Sequence, residues 1–562
     1  SVAILAQAVL TIVSEHRAIG SHPPLLAPGT SCMAGSRACP PAWAVFALLG
    51  SCTAQEECPA DGGPGCGSPF TRVRKHLWPR ARGPGPTYGV TNLTGPADLS
   101  EPWYQWYPGA TRFRSVVLCG PLIDDESSLY VTSVHAIHKL STDGQVRIWE
   151  YKTSGSMADC PSLWNGVLLG MDGRGFAFAV DIDTGKALWM RQHAPGSGDT
   201  SYVENHDGVM IYEADPGNER VLAVDAVTGN KLWEFSPDTP VWNLMAQFPG
   251  DDTVLFQDQD SRTYRLGLHN GTLLWKAGGR HVPTPTWSDG GALLGPNGII
   301  YAASSKGQVM THYPTVGGGV HAYRVSDGAL IWEKHLPRPF FTWPVIGRLA
   351  GRSDMSVIVG VGSNAYFPWK LVLQYTAPKP VKYGLLLAAA WSLLRCFKGG
   401  CKWLALRMII CLAVAVVYPI YVTYEYTQGR GFVRIATFEA DVYAFNAETG
   451  DQQWVYHLPA WPYVSAAGDS EGYFERIFFC PQRPVCLPAA YSAPTLDSEG
   501  VVWIGYHSGS LVGLRDADGD GIVTEQEVIS YDTKAAFLHS GPAFAPGIFA
   551  ITNCDSLHVW KN

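Results

Sequence analysis

Charge is scarce in this chain. Only 16% of its 562 residues are Asp, Glu, Lys or Arg, too few for a disordered polyampholyte beside 46% hydrophobic residues. Basic residues are outnumbered, 41 against 49 acidic, so no positive field exists to hold nucleic acid. No Gly-X-Y period and no sustained heptad occurs, which excludes collagen and coiled coil. No Cys-Cys pair and no Cys-x-x-Cys-His haem site is found. What is plentiful is Gly (60), Pro (40) and aromatic residues (12%), the composition of many short strands joined by tight turns.

A repeat organises most of the chain. Ala179-Val-Asp181-Ile-Asp-Thr184-Gly185-Lys-Ala-Leu-Trp189 matches Ala223-Val-Asp225-Ala-Val-Thr228-Gly229-Asn-Lys-Leu-Trp233. Further copies run from Tyr264 through Asn270-Gly271 to Trp275, Ala322 through Asp327-Gly328 to Trp332, and Ala444 through Thr449-Gly450 to Trp454. A looser copy, Ser141-Thr-Asp143-Gly144-Gln-Val-Arg-Ile-Trp149, has one extra residue. From Trp149 to Trp275 the tryptophans recur about every 40 residues, one four-stranded unit each. Each turn follows an alternating apolar strand such as Phe176-Ala-Phe-Ala-Val180. The Asp and Thr side chains can accept turn amides, and Gly supplies positive φ. The Trp then fills the wedge between neighbouring units, and closure of the series into a ring gives a β-propeller.

These residues resemble the pyrrolo-quinoline-quinone-like repeat family, with its Ala-x-Asp-x-x-Thr-Gly-x-x-x-Trp docking motif, over roughly residues 100–562. The resemblance implies an all-β fold of seven or eight four-stranded blades. Eight is favoured: six Trp units, an unmarked unit near 340–375 and a C-terminal unit. Dehydrogenases of the family carry a central quinone, a catalytic Asp and often adjacent cysteines. No position here maps onto that catalytic Asp, and Asp258 and Asp260 sit in what reads as a hydrophilic turn. The expectation is therefore a non-enzymatic protein-interaction scaffold or recognition module with no catalytic residue and no quinone. It resembles the quinone-less relatives, and its protein partner is unidentified. The alternatives are a quinone-dependent alcohol or sugar dehydrogenase and a calcium-regulated binding protein.

Near the C-terminus, 516–527 reads Asp516-Ala-Asp518-Gly-Asp520-Gly521-Ile522-Val-Thr524-Glu-Gln-Glu527, the pattern of an EF-hand calcium loop. Three carboxylates, the Ile522 carbonyl, a water on Thr524 and a bidentate Glu527 would supply the hard oxygens that calcium needs. Strand-like sequence precedes the loop, so no helix enters it. It takes the inter-strand turn of a blade, with Gly519 opposite Gly185, and a structural clamp is expected.

Residues 384–425 differ from everything around them. GLLLAAAWSLLRCFKGGCKWLALRMIICLAVAVVYPIYV opens the block, and the arm Leu404 to Val422 approaches the ~20 apolar residues that span hydrocarbon. Arg395, Lys398 and Lys402 form a basic tip, so a hairpin anchored in a lipid bilayer, with the propeller on the luminal or extracellular side, is expected. Propeller blades then occupy 100–383 and 426–562. Met33, Arg37, the apolar run Ala42 to Leu49 and the small residues before Gln55 have the order of a signal peptide, Met33 to Ala54, within an upstream stretch 1–54. A linker, 55–99, would follow. Cys58–Cys66 and Cys480–Cys486 are candidate small-loop disulfides, and Asn92 and Asn270 head glycosylation sequons, all fitting a secretory route. Gly468-Asp-Ser470-Glu-Gly472 has a hydrolase-like spacing but copies the blade turn Asp497-Ser-Glu-Gly500. The basic run Arg72-Val-Arg-Lys75 with Arg80 and Arg82 reads as a solvated linker, and His135 and His138 as solvent or core histidines.

Overall fold

Alternating apolar residues dictate short strands, and tight Gly-containing turns pair each strand with the next. In the computed structural model, the described residues are 68–85, 88–157, 159–196, 201–215, 219–242, 246–279, 291–305, 317–363, 437–463, 465–481 and 490–562, with helical pieces within 384–391 and 401–412 and isolated positions between. The signal-peptide segment and the Cys58–Cys66 pair lie outside them. Residues 68–562 form one unit.

Eight antiparallel sheets follow one another along the chain, at 122–152, 162–192, 204–235, 253–278, 292–336, 345–457, 495–532 and 543–560. We number them blades 1 to 8. Blade 2 is typical, with strands Ser162–Trp164, Val167–Met171, Phe176–Asp181 and Ala187–Gln192 in sequence order. In blade 4 the innermost strand is reduced to a bridge from Gln247 to Leu255. Blade 8 supplies only three strands of its own. Its fourth is Tyr104–Trp106 from the N-terminal side, in register Tyr104↔Val559 and Trp106↔Leu557. The two ends of the propeller are thereby zipped together, and the ring has no free strand edge at its seam.

The expected eight blades are present, but not all where the repeat places them. The unmarked unit near 340–375 is the inner half of blade 6, Val345–Gly347 and Ser356–Gly362. Its outer half, Ala440–Asn446 and Gln452–His457, lies beyond the apolar insertion, with Gly362 paired to Ala440. Trp332 and Trp454 are therefore one blade apart, and blades 7 and 8 carry no copy of the motif.

Joints between blades repeat in atomic detail. The indole N–H of five of the six docking tryptophans donates to a turn carbonyl of the next blade: Trp149 to Ile182 (2.8 Å), Trp189 to Ala226 (3.0 Å), Trp233 to Leu268 (2.7 Å), Trp275 to Val325 (3.1 Å) and Trp332 to Ala447 (3.0 Å). The same turn lays its glycine on the ring. A Cβ on Gly185, Gly229, Gly271, Gly328 or Gly450 would come within 2.6–2.9 Å of the preceding blade's indole. Thus the glycine serves twice, for φ near +70° and for close approach. A one-residue bulge precedes each Trp, leaving Ile148, Leu188, Leu232, Leu274, Ile331 and Gln453 outside the ladder. It turns the outer strand so that the indole faces the neighbouring blade.

Three further expectations need correction. The stretch 68–99 is not a linker but packs throughout the unit, as described below. Cys486 pairs with Cys554, and Cys119 with Cys160. Cys480 does not pair with Cys486, because its amide closes the helix Asp469–Phe479 on the Arg476 carbonyl and its side chain is buried beside Val116 and Leu118. Gly468-Asp-Ser470-Glu-Gly472 is likewise no blade turn. It opens that helix, where a buried Asp469–Arg476 ion pair replaces turn chemistry.

Gly229→Ala and Gly250→Ala share a positive φ, but only Gly229 faces a ring; Gly250 has open space around its Cα. Chemical denaturation should show Gly250→Ala costing about 1 kcal/mol. Gly229→Ala should lose about 1–3 kcal/mol more, the penalty of overpacking.

Candidate functional site

Blade 7 places the 516–527 loop between its third and fourth strands, Ser510–Leu514 and Val528–Asp532. No helix of four or more residues flanks it; a single 3-10 turn, Glu525–Glu527, ends it. The loop stands where the other blades have their docking turn, against the outer strand of blade 6. Ile522 forms a parallel bridge with Val455, and Val523 is buried in the cluster that contains Trp454 and Leu514. Gly519, expected opposite Gly185, has open space around it. Gly521 is the glycine at the joint, where a Cβ would lie 3.1 Å from the Gln453 carbonyl.

Carboxylate oxygens of Asp516, Asp518 and Glu527 lie within 4.8 Å of one another. Asp516 is buried, and its two oxygens differ. Oδ2 accepts from Arg352 (3.1 Å), which also donates to the Gln453 carbonyl, while Oδ1 accepts no hydrogen bond. Glu527 accepts the Ala517 and Thr524 amides at 2.7 and 2.8 Å and the Thr524 hydroxyl at 2.9 Å. These amides hold its carboxyl below the ordinary glutamate range. Asp520 Oδ1 accepts the Ile522 amide at 2.7 Å and stands outside the close trio. Like charges this close favour an added cation, and an oxygen-only set with a buried unpartnered Oδ1 fits calcium. The Ile522 carbonyl and Thr524 hydroxyl are in the same loop.

A second constellation escaped sequence reasoning. The segment beginning at Trp78 exchanges backbone bonds with Ile123 of blade 1 and offers the Pro79 carbonyl to Leu163 of blade 2. Farther on, Gly89 and Thr91 bond Leu496 of blade 7. One short segment reaches the innermost strands of so many blades only at the centre of the ring. Arg82, 1% exposed, donates to the Pro344 and Pro494 carbonyls at 3.1 and 3.2 Å. Burial pushes its guanidinium down to about 10. Arg80 donates to the Tyr88 hydroxyl (2.7 Å) and to Glu204 of blade 3 (3.2 Å). Tyr202 and Trp343 meet edge to face beside them, with ring centres 4.8 Å apart. These residues lie outside the repeat, so its period gave no sign of them. The one available signal was Arg80 and Arg82 themselves, two charges flanked by apolar residues.

Other candidates fall into structural places. Arg72 pairs with Asp181 and Asp183, and Arg74 with Asp125 and Asp183, so the basic run straps the segment to blades 1 and 2. Asp258 and Asp260 are buried rather than solvated; Asp258 accepts from the Tyr264 hydroxyl at 2.8 Å, and both face Arg262. His138 is a core histidine, held to about 4 by burial, while His135 is exposed.

Eight blades, the first six joined in succession by Trp, turn carbonyl and Gly, define a propeller of docked repeats. Residues 132–288 and 179–356 match the family described as outer membrane protein assembly factor BamB. The match takes in blades 2 to 5 with parts of blades 1 and 6, whose repeats are of the pyrrolo-quinoline-quinone-like type. The chain is similar to solved structures of BamB from Moraxella catarrhalis (13% identity, 77% of this chain and 91% of that one, TM-score 0.45) and of the computationally designed Ika8 protein (10%, 80% and 97%, 0.46). It is also similar to the quinohemoprotein alcohol dehydrogenase from Comamonas testosteroni (11%, 78% and 73%, 0.44). A comparison with curated protein sequences gave no match.

Burial raises the Glu204 carboxyl from its ordinary 4.5 to about 7, against the pull of Arg80 and Tyr88. A carboxyl raised on folding lends stability that is fully present below pH 4.5 and is lost as pH climbs through about 7. Melting curves from pH 4.5 to 7.5 should therefore fall for the wild type, and Glu204→Gln should flatten that slope.

Proposed function

We propose that this chain is a non-enzymatic, membrane-attached scaffold or recognition module of the secretory route, with a calcium ion held by Asp516, Asp518, Asp520, Ile522, Thr524 and Glu527. The observation that carries the non-enzymatic reading is the filled axis. Family dehydrogenases hold their quinone at the centre of the ring, and here Trp78, Arg82, Tyr88, Tyr202 and Trp343 pack into that space. Tyr202 and Trp343, whose rings meet edge to face at 82°, are not a parallel pair that would sandwich a planar quinone. The Cys119–Cys160 pair is 41 residues apart in sequence rather than adjacent. A cavity of about 590 Å³ remains beside this segment, lined by Trp78, Gly85, Val90, Thr91 and Phe544, and the two faces and outer strands are the other surfaces open to partners.

Membrane attachment rests on the composition of 384–425, most of which lies outside the described residues. Among the described residues no helix is long and apolar enough to cross a membrane; the helix Cys401–Leu412 has 12 residues. Two disulfides among the described residues support an oxidising compartment. Calcium in the loop would bind the joint between blades 6 and 7, since Asp516 is tied through Arg352 to the strand that contains Gln453.

Calorimetry on the purified full chain should show one calcium site, with Asp516→Ala and Glu527→Ala each abolishing the heat. Added quinone with calcium should give no stoichiometric complex and no dye-linked alcohol oxidation; a bound quinone would favour the dehydrogenase.

A further inference from the structure

In an antiparallel four-stranded blade, alternate connections emerge on opposite faces of the ring. The docking turns and the 516–527 loop join third to fourth strands and share one face. Connections between second and third strands, and those leading from blade to blade, share the other. The apolar insertion belongs to this second face, for it leaves blade 6 after Gly362 and returns at Ala440, its partner across the ladder. Its return is firmly seated. Phe438 exchanges backbone bonds with Trp461 (2.9 and 2.7 Å) and shares a buried cluster with Ala466, Cys486, Leu538 and Cys554.

The connection from Trp461 continues into the helix Asp469–Phe479, whose polarity is inverted. Its inner side is charged: Arg476 is fully buried between Asp469 and Asp555, and Gly472 abuts Phe113. Its outer side is largely aromatic, with the exposed Glu471 in its first turn and the half-buried Glu475 beside Arg114. Phe474, Phe478 and Phe479 are 42%, 49% and 51% exposed, and Tyr463 just upstream is 50% exposed. Phe474 and Phe478 are four residues apart, neighbours on one stripe. Described parts of the insertion show the same character, with Leu387, Trp391, Leu406, Ile409 and Ile410 exposed by 47–70%. Arg114 lies over the Phe479 ring at 4.2 Å, and Lys534 is largely exposed nearby, in reach of Arg112. Exposed aromatics at the root of an apolar segment, beside Arg114 and Lys534 that are themselves paired with Glu475 and Asp532, are what a headgroup–acyl boundary accommodates.

We propose that this face of the propeller rests on a lipid bilayer, with Tyr463, Phe474, Phe478 and Phe479 in the interfacial layer, so that the docking-turn face with the 516–527 loop points away from the membrane. The inference rests on the membrane-attached reading above. It is tested by reconstituting the full chain in phosphatidylcholine–phosphatidylserine vesicles with a photo-crosslinking residue in place of Phe478 or of Val227, an exposed position on the docking-turn face. Carbonate-resistant protein whose position 478 forms lipid adducts at least tenfold more often than position 227 supports the proposal. Equal adducts at both positions, or adducts to protein alone at 478, in carbonate-resistant protein overturn it and leave attachment standing. Release by carbonate with no lipid adduct at either position overturns both.

Discussion

Everything in this molecule depends on the joint between an indole and the turn of the next blade. A single four-stranded sheet cannot bury both of its faces, so each blade is stable only against its neighbours. The joint sets that contact by three means at once. The Trp area fills the wedge, the N–H finds a carbonyl rather than being buried unpaired, and the glycine lets the ring sit on the backbone. The bulge before each Trp is the less obvious part. Without the extra residue, the strand's two-residue alternation would direct that side chain to the opposite face.

The Trp joint links blades 1 to 6 in succession, and the next joint is built differently. Between blades 6 and 7 the turn has been replaced by an acidic twelve-residue loop, and the contact consists of a backbone bridge at Ile522, the buried Val523 and the Arg352 tie. This joint gathers three carboxylates and leaves Asp516 Oδ1 unpartnered. A cation held by these carboxylates would strengthen this joint. The difference falls on the blade that also carries the apolar insertion.

Much of the fold was legible in the sequence because it is written in repeats. Asp181, Thr184, Gly185 and Trp189 announce a turn and a wedge, and five copies announce a ring. The repeat could not reveal the way blade 6 is split, since an insertion between second and third strands looks like an extra period. Nor could it reveal the bulges, which are a matter of pairing. The loop at 516–527 was legible from the chemistry of its oxygens. The axial segment was not: Arg82 and Tyr88 recur nowhere, and their meaning comes from carbonyls at Pro344 and Pro494 and a glutamate at 204, hundreds of residues away. The helix at 469 was misread because Asp-Ser-Glu-Gly serves equally as a turn and as a helix first turn, and the burial of Arg476 decides between them.

The axial segment also constrains how the protein can work. To open the centre for a ligand, Arg82 would have to leave two carbonyls, Tyr88 and Arg80 would have to leave Glu204, and the aromatic surface of Trp78 would meet water. Hydrogen bonds to charged groups are each worth about 1.5–3 kcal/mol, and a buried aromatic adds about as much again. A small ligand would have to repay all of that before gaining any affinity of its own. Binding at the faces incurs no such cost, since the turns are already exposed and their geometry is fixed by the joints beneath. A ring threaded at its centre by a hydrogen-bonded segment and faced with rigid turns would present surfaces at a lower cost than rearranging that segment around a ligand.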